Sequence, residues 1–345
     1  MFERIGTGDC TPPFPIYHDL VERLLAAHAA GHDGHDATVA HALATLAGHA
    51  YADTGTMASI MARLGLAGGT CVRVAQTVDA MYIHTTAYLL QSRCGRLAIL
   101  CYRGTEPATL GNWIADADVG SEALRLAPGP AGLVRVHAGF HRNLRATRWA
   151  VLEQLRMARQ GRSLLEPERA VAHPLQALYV TGHSLGGALA AVFALTLADA
   201  VDDIGACLRA VYTYGQPLCV GAPLPPQAET IAQRTWRHVL PLDPIPALPP
   251  AAWGAFAHFG HEYRPCNPGG AWQAARDPVA QMPTLKGLGR SLLSLAGAQR
   301  RRDPQRPAFA EHLPHRYIDA LRPAGVLTEY AEATAPPAWP PQADA

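Results

Sequence analysis

Apolar positions follow two different rhythms along the chain. Across residues 19–63 they recur at helical spacing, first Leu20, Leu24 and Leu25 and then an Ala- and Leu-rich run over 39–50. This predicts helices separated by the turn-like Gly31-His32-Asp33-Gly34-His35-Asp36. From Val72 the rhythm shortens to compact β-rich runs at 87–91, 97–102 and 134–137, and strands are expected. A helix is predicted over 144–159, then a strand at 177–181, a helix over 185–200, a strand at 208–214 and a further apolar run at 237–242. Strands alternating with helices imply an α/β fold with a mostly parallel central sheet and helices on both faces.

The 345 residues are 49% hydrophobic and 17% charged, which marks a globular chain. One domain is expected over residues 1–330, with a helical extension at about 15–63 and an insertion at about 267–307. Residues 331–345 read as a disordered tail, because the run Pro336-Pro337-Ala338-Trp339-Pro340-Pro341 can build neither helix nor central strand. A net charge of +1 favours no nucleic acid or other polyanion as partner, and no obligate protein partner is evident. Residues 1–20 hold no apolar run long enough for a signal-peptide core, and no transmembrane segment is visible. A cytoplasmic location is therefore favoured, with signal-independent export left open. The seven cysteines are scattered without a Cys-x-x-Cys pair, which suggests buried thiols, one or two disulfides being the alternative. The His/Asp cluster at 31–36 invites a metal reading, but it lacks recognisable ligand spacing and reads better as a solvated loop.

Candidate chemistry begins at Tyr179-Val180-Thr181-Gly182-His183-Ser184-Leu185-Gly186-Gly187-Ala188. Here Gly-x-Ser-x-Gly follows a β-branched strand and opens a small-residue helix, the context that makes the pattern specific for an α/β-hydrolase fold. A serine hydroxyl projects for attack only from a sharp, strained strand-to-helix turn, and Gly182 and Gly186 remove the side chains that would collide there. The helix N-terminus then faces the place where negative charge develops. Ser184 is the expected nucleophile, against the alternative of a glycine-rich turn with an incidental serine.

A serine needs a base, and the base an orienting acid, in the chain order Ser, Asp, His for this fold. Asp243 follows an apolar run and precedes a proline-locked loop, Pro244-Ile245-Pro246, where a sheet edge presents it. Asp202 and Asp203 follow the nucleophile's own helix and are placed on the far side. For the base, Pro314 suits the first turn of a new helix, which leaves His312 on the loop before it and puts His315 on the helix. His312 is preferred, with His315 the alternative.

Several further motifs resemble the fungal-type, or class 3, triacylglycerol lipases over residues 51–321. Tyr102-Arg103-Gly104-Thr105 resembles the family's oxyanion strand end and Asn112-Trp113-Ile114-Ala115-Asp116 the start of its lid. His137-Ala138-Gly139-Phe140, Tyr214-Gly215-Gln216-Pro217, Asp243-Pro244-Ile245-Pro246 and His258-Phe259-Gly260-His261-Glu262-Tyr263 match other signatures, the last without a catalytic histidine. The resemblance implies that the backbone N–H groups of Thr105 and Leu185 form the oxyanion hole and that a lid lies within 107–134. Glu311 before and Leu313-Pro314 after His312 depart from the family pattern, and 281–302 is longer than the family leads one to expect. Leu285, Leu288, Leu292 and Leu295 with Lys286 and Arg290 make that stretch amphipathic and basic, a candidate for transient contact with a lipid surface.

The resulting expectation is a serine carboxylic-ester hydrolase, a lipase cleaving acylglycerols through an acyl-enzyme on Ser184, with no metal or organic cofactor. The alternatives are a phospholipase A1 or soluble carboxylesterase and, from another class, a non-catalytic hydrolase-fold protein that binds lipid or protein.

Overall fold

A computed structural model describes residues 2–10, 14–26, 35–105, 120–129, 132–198, 203–266, 271–282 and 310–333. The expected lid start at 112–116, the amphipathic stretch at 284–302 and the Pro-rich run at 336–341 lie outside the described residues.

Among these, nine strands form one sheet, in the order β1 (Phe2–Gly6), β2 (Thr70–Val78), β3 (Ile83–Gln91), β4 (Leu97–Tyr102), β7 (Ala177–His183), β8 (Leu208–Tyr214), β9 (Thr235–His238), β10 (His261–Pro265) and β11 (Trp272–Ala274). β5 (Ser121–Arg125) and β6 (Leu133–His137) pair as a separate hairpin. The centre is parallel from β4 through β7, β8 and β9 to β10. The two flanks, β1 to β4 on one side and β11 on the other, are antiparallel.

Period-two alternation along the strands gives each face its own core. In β4, Ala98, Leu100 and Tyr102 pack with α4 (Ala138–Arg159) and α5 (Leu185–Leu195). Leu97, Ile99 and Cys101 pack on the opposite face with α1 (Leu20–Ala26), α2 (Ala37–His49), α3 (Thr54–Met61) and α6 (Pro314–Leu321). This is the α/β-hydrolase layering expected from the alternating pattern, with both faces of the parallel strands covered. No described helix is long and apolar enough to cross a membrane.

The structure moves several boundaries. Strands begin at Phe2, well before Val72, and β1 is an edge strand with no buried residue, so period-two patterning gave no sign of it. α4 starts six residues before the expected 144, and α5 ends at Leu195 rather than 200. β9 stops at His238, before the Pro241 that cannot donate to a ladder. Within the expected insertion, residues 272–274 are tied down as β11, and the Met282 N–H donates to the Ala247 carbonyl at 2.9 Å.

The His/Asp loop is built into the fold where it is described. Asp36 caps α2 by accepting from the N–H groups of Thr38 and Val39 at 2.8 and 3.0 Å. His35 stacks on Tyr263 with ring centroids 4.1 Å apart, and its Nε2 lies 3.0 Å from His238 Nε2. The Thr213 carbonyl takes the His238 Nδ1–H, so His238 Nε2 accepts and His35 Nε2 carries the hydrogen.

Burial lowers His35 from the usual 6.5 to about 4 and His41 to about 3, and it holds His238 and His258 well below the ordinary range. A neutral group in the folded state meets an unfolded state that binds protons below about 6.5, so stability is full above that pH and lost as the pH falls toward the folded values. Each unit of displacement is worth about 1.4 kcal/mol, less for His35, which is partly open to solvent. The melting temperature is therefore expected to drop by at least about 5 °C between pH 7 and pH 4. A calorimetric melting temperature that stays level across that range contradicts this account.

Candidate active site

The register aligns the ends of the parallel strands. Tyr102 pairs with Gly182, Gly182 with Thr213, His183 with Tyr214, and Tyr214 with His238. Their carboxyl ends form one edge, the usual place for chemistry in an open α/β sheet.

Ser184 stands on that edge between β7 and α5 with φ 58° and ψ −129°, a left-handed conformation costly for a residue with a Cβ. The neighbouring glycines show why the turn tolerates nothing larger. A Cβ on Gly182 would stand 2.3 Å from the Gly186 backbone, and one on Gly186 would stand 2.2 Å from the Tyr102 carbonyl oxygen and 2.9 Å from the Gly104 nitrogen. The start of α5 and the loop after β4 are thus in backbone contact. That contact sets Gly104, the residue before the half-buried Thr105, against Gly186, the residue after Leu185 at the start of α5. The Leu185 N–H is among those at a helix start that have no intrahelical acceptor.

The Ser184 hydroxyl donates to His312 Nε2 at 2.8 Å, and His312 Nδ1–H donates to Asp243 Oδ2 at 2.8 Å. All three residues are buried. Asp243 follows β9 on a loop whose turn is tightened by the Ile245 N–H, which donates to Asp243 Oδ1 at 2.9 Å. His312 ends a short 3₁₀ turn, Ala310–His312, and Pro314 opens α6 as expected. Gly215, in left-handed conformation, makes room for the pair, since a Cβ there would meet Asp243 Oδ2 at 2.7 Å and His312 Nδ1 at 2.9 Å. The expected Ser184, Asp243 and His312 are therefore brought into one hydrogen-bonded line.

The alternatives fall elsewhere. His315 is exposed on the first turn of α6. Asp203 pairs with Arg159 at 3.2 Å, and Asp202 lies outside the described residues. His258 donates through Nε2 to the Pro246 carbonyl at 2.8 Å and so braces the loop that carries Asp243.

Tyr317 is a residue that sequence reasoning missed. Its hydroxyl donates to Asp243 Oδ2 at 2.6 Å and accepts from the Leu240 N–H at 3.2 Å. Burial, with the Asp243 charge adding to it, pushes this phenol well above its ordinary range, so it remains a donor. Tyr317, Ile318 and Leu321 form the buried stripe of α6. The available signal was a polar-tipped aromatic within that stripe, close to the predicted base.

Residues 99–253 match the sequence profile of the family described as Lipase (class 3). A lipase of Rhizomucor miehei is 28% identical over 208 residues, covering 56% of this chain and 48% of that protein. A protein of Penicillium cyclopium named secreted mono- and diacylglycerol lipase A is 24% identical over 235 residues, 66% of this chain and 70% of that protein. The chain thus spans about half the length of the Rhizomucor relative. Among solved structures, lipase II from Rhizopus niveus superposes with a TM-score of 0.52 at 21% identity, over 73% of this chain and 89% of that one. The Rhizomucor miehei lipase propeptide complex gives 0.51 at 22% identity, over 73% and 75%. These two likenesses bear on the fold.

Proposed function

We propose that the chain, whose residues 99–253 match the class 3 lipase family, is a serine carboxylic-ester hydrolase with Ser184 as nucleophile, His312 as general base, Asp243 as orienting acid, and the N–H groups of Thr105 and Leu185 as oxyanion donors. The observation that carries this reading is the line from Ser184 through His312 to Asp243, with both bonds at 2.8 Å, at the carboxyl edge of the sheet. His312 Nε2 takes the Ser184 proton as Oγ attacks the ester carbonyl, and Asp243 holds the imidazolium that forms. The negative oxygen faces the start of α5, where two preorganised donors lower the barrier by several kcal/mol, about 3 for a single donor. The protonated base then returns its proton to the departing alcohol, and water clears the acyl-enzyme by the same steps in reverse roles.

Acylglycerols are the proposed substrate class, supported by the relatives named as lipases, including a mono- and diacylglycerol lipase. Transient contact with a lipid surface belongs to the same reading. The Penicillium relative is named as secreted, which bears against a cytoplasmic location, so we place the activity outside the cytoplasm. We read residues 1–330 as one catalytic unit, since β1 pairs into the same sheet that α6 covers and α6 brings Tyr317 to Asp243.

Hydrolysis of 4-nitrophenyl esters from acetyl to palmitoyl, alongside emulsified acylglycerol and phospholipid, tests the substrate class. Higher turnover on long-chain acylglycerol than on acetate is expected. An optimum at acetyl with inert emulsions indicates a soluble carboxylesterase, and release of fatty acid from phospholipid alone indicates a phospholipase.

A further inference from the structure

The residue between Gly182 and Ser184 lies where three segments of the site meet. His183 is 3% exposed, and its Nε2 is 2.6 Å from the backbone carbonyl oxygen of His312. A carbonyl only accepts, so Nε2 carries the hydrogen and Nδ1 is left as the acceptor for the Tyr51 hydroxyl at 2.9 Å. Tyr51 also touches the oxyanion loop. A Cβ on Gly104, next to Thr105, would come 2.3 Å from Tyr51 Oη and 2.6 Å from the His183 carbonyl oxygen. One histidine and one tyrosine thus join the loop after β4, the nucleophile turn and the base.

We propose that His183, seated by Tyr51, is a positioning residue that holds the backbone of His312 so that its imidazole stays on the line to Ser184 Oγ. This rests on the hydrolase reading above. The need for such a hold follows from local structure. His312 sits at the end of a three-residue 3₁₀ turn, without a long helix or a strand to fix its backbone. A ring tethered at Nδ1 to Asp243 pivots about that bond, and fixing the residue's own carbonyl supplies a second point. A displacement of about 1 Å at a reacting group lowers the rate by about 10²-fold.

Burial, reinforced by the neighbouring His312, keeps His183 well below the ordinary imidazole range. It therefore stays neutral, keeps its Nε2–H, and adds no charge beside the imidazolium that forms 4.6 Å away, ring centroid to centroid. The other titratable groups around the pair are Tyr51, Tyr317, whose ring is 5.7 Å from that of His183, and Asp243.

The side-chain geometries of glutamine and asparagine separate the two bonds of His183. Glutamine places an amide nitrogen near the position of Nε2, whereas asparagine places its amide near Nδ1. The full chain carrying His183→Gln, His183→Asn, His183→Phe or Tyr51→Phe is compared with the unaltered protein on a soluble 4-nitrophenyl ester, and the rate of labelling by a fluorophosphonate is measured in parallel. Thermal unfolding checks each variant.

His183→Asn and His183→Phe are expected to lose about 30- to 100-fold in kcat with KM within about threefold, and labelling should slow to the same degree. His183→Gln is expected to recover to within about fivefold, and Tyr51→Phe to lose about five- to tenfold. Equal activity of the Asn and Gln variants overturns the proposal, as does a loss confined to KM. If the position 183 variants do not fold, a Tyr51→Phe protein with unaltered kcat overturns it and one with reduced kcat supports it. Persistent turnover in Ser184→Ala would instead reject the hydrolase reading beneath it.

Discussion

Replacing Ser184 or His312 by Ala is expected to lower ester hydrolysis by about 10⁴- to 10⁶-fold, whereas His315→Ala should leave it within about threefold. The contrast follows from geometry. Ser184 Oγ and His312 Nε2 are 2.8 Å apart and buried, so in the proposed reaction each truncation removes a group that forms or breaks a bond. Removing both together should cost little more than removing either, because nucleophile and base act as a unit. His315 is exposed on the first turn of α6, and truncating it leaves the Ser184 to Asp243 line untouched. Kinetics on a soluble ester, with fluorophosphonate labelling as an independent readout, checks all three variants. Comparable losses for His315→Ala and His312→Ala would mean that the base has been misassigned. A Ser184→Ala protein that still turns over would revive the binding-protein alternative.

The features that were legible in the sequence are those whose cause is local. The turn at Ser184 must exclude a Cβ at Gly182 and Gly186, so its chemistry is written in adjacent letters. Asp243 is announced by the prolines that end its strand and lock its loop, and His312 by Pro314, which opens the next helix. Tyr317 belongs to the same site but meets Asp243 across 74 positions, and no periodicity reports such a contact. His183 is similar. It reads as the variable letter of a motif, and its partners Tyr51 and His312 lie 132 and 129 positions away. β1 escaped for a different reason. With four of its five residues exposed, it is held by ladder bonds to β2, and backbone pairing leaves no hydrophobic pattern to read. Within the expected insertion, 271–282 shows little pattern because β11 is three residues long and held by register with β10, while Met282 bonds to the backbone of Ala247 and Ala251. Local sterics and period-two or helical burial are readable in the letters, while edge pairing and long-range polar contacts are consequences of the completed fold.

Asp243→Asn tests the electrostatics of the acid apart from its geometry. In trypsin-like enzymes this change lowers kcat about 10⁴-fold because the amide leaves the histidine in the wrong tautomer. Here the carboxylate has unequal surroundings. Oδ2 accepts from both His312 Nδ1 and the Tyr317 hydroxyl, whereas Oδ1 accepts from the Ile245 N–H. An asparagine must point its NH₂ toward one side. Facing His312 it would oppose two donors, and facing Ile245 it would oppose one, so the carbonyl oxygen is expected to stay on His312. Each opposed buried donor costs about 1–3 kcal/mol, which favours this orientation by roughly tenfold or more. The base then keeps its reactive tautomer and loses chiefly the negative charge that stabilises the imidazolium. The expected fall in kcat is about 10²- to 10³-fold for Asp243→Asn and about 10⁴-fold for Asp243→Ala, with some stability lost in the former at Ile245. In the double variant with Tyr317→Phe, Oδ2 has a single donor and the two amide orientations approach parity. The Asn effect should therefore deepen when the phenol is removed. An Asp243→Asn protein as impaired as Asp243→Ala, or one indifferent to Tyr317→Phe, would show that Tyr317 does not set the orientation of residue 243.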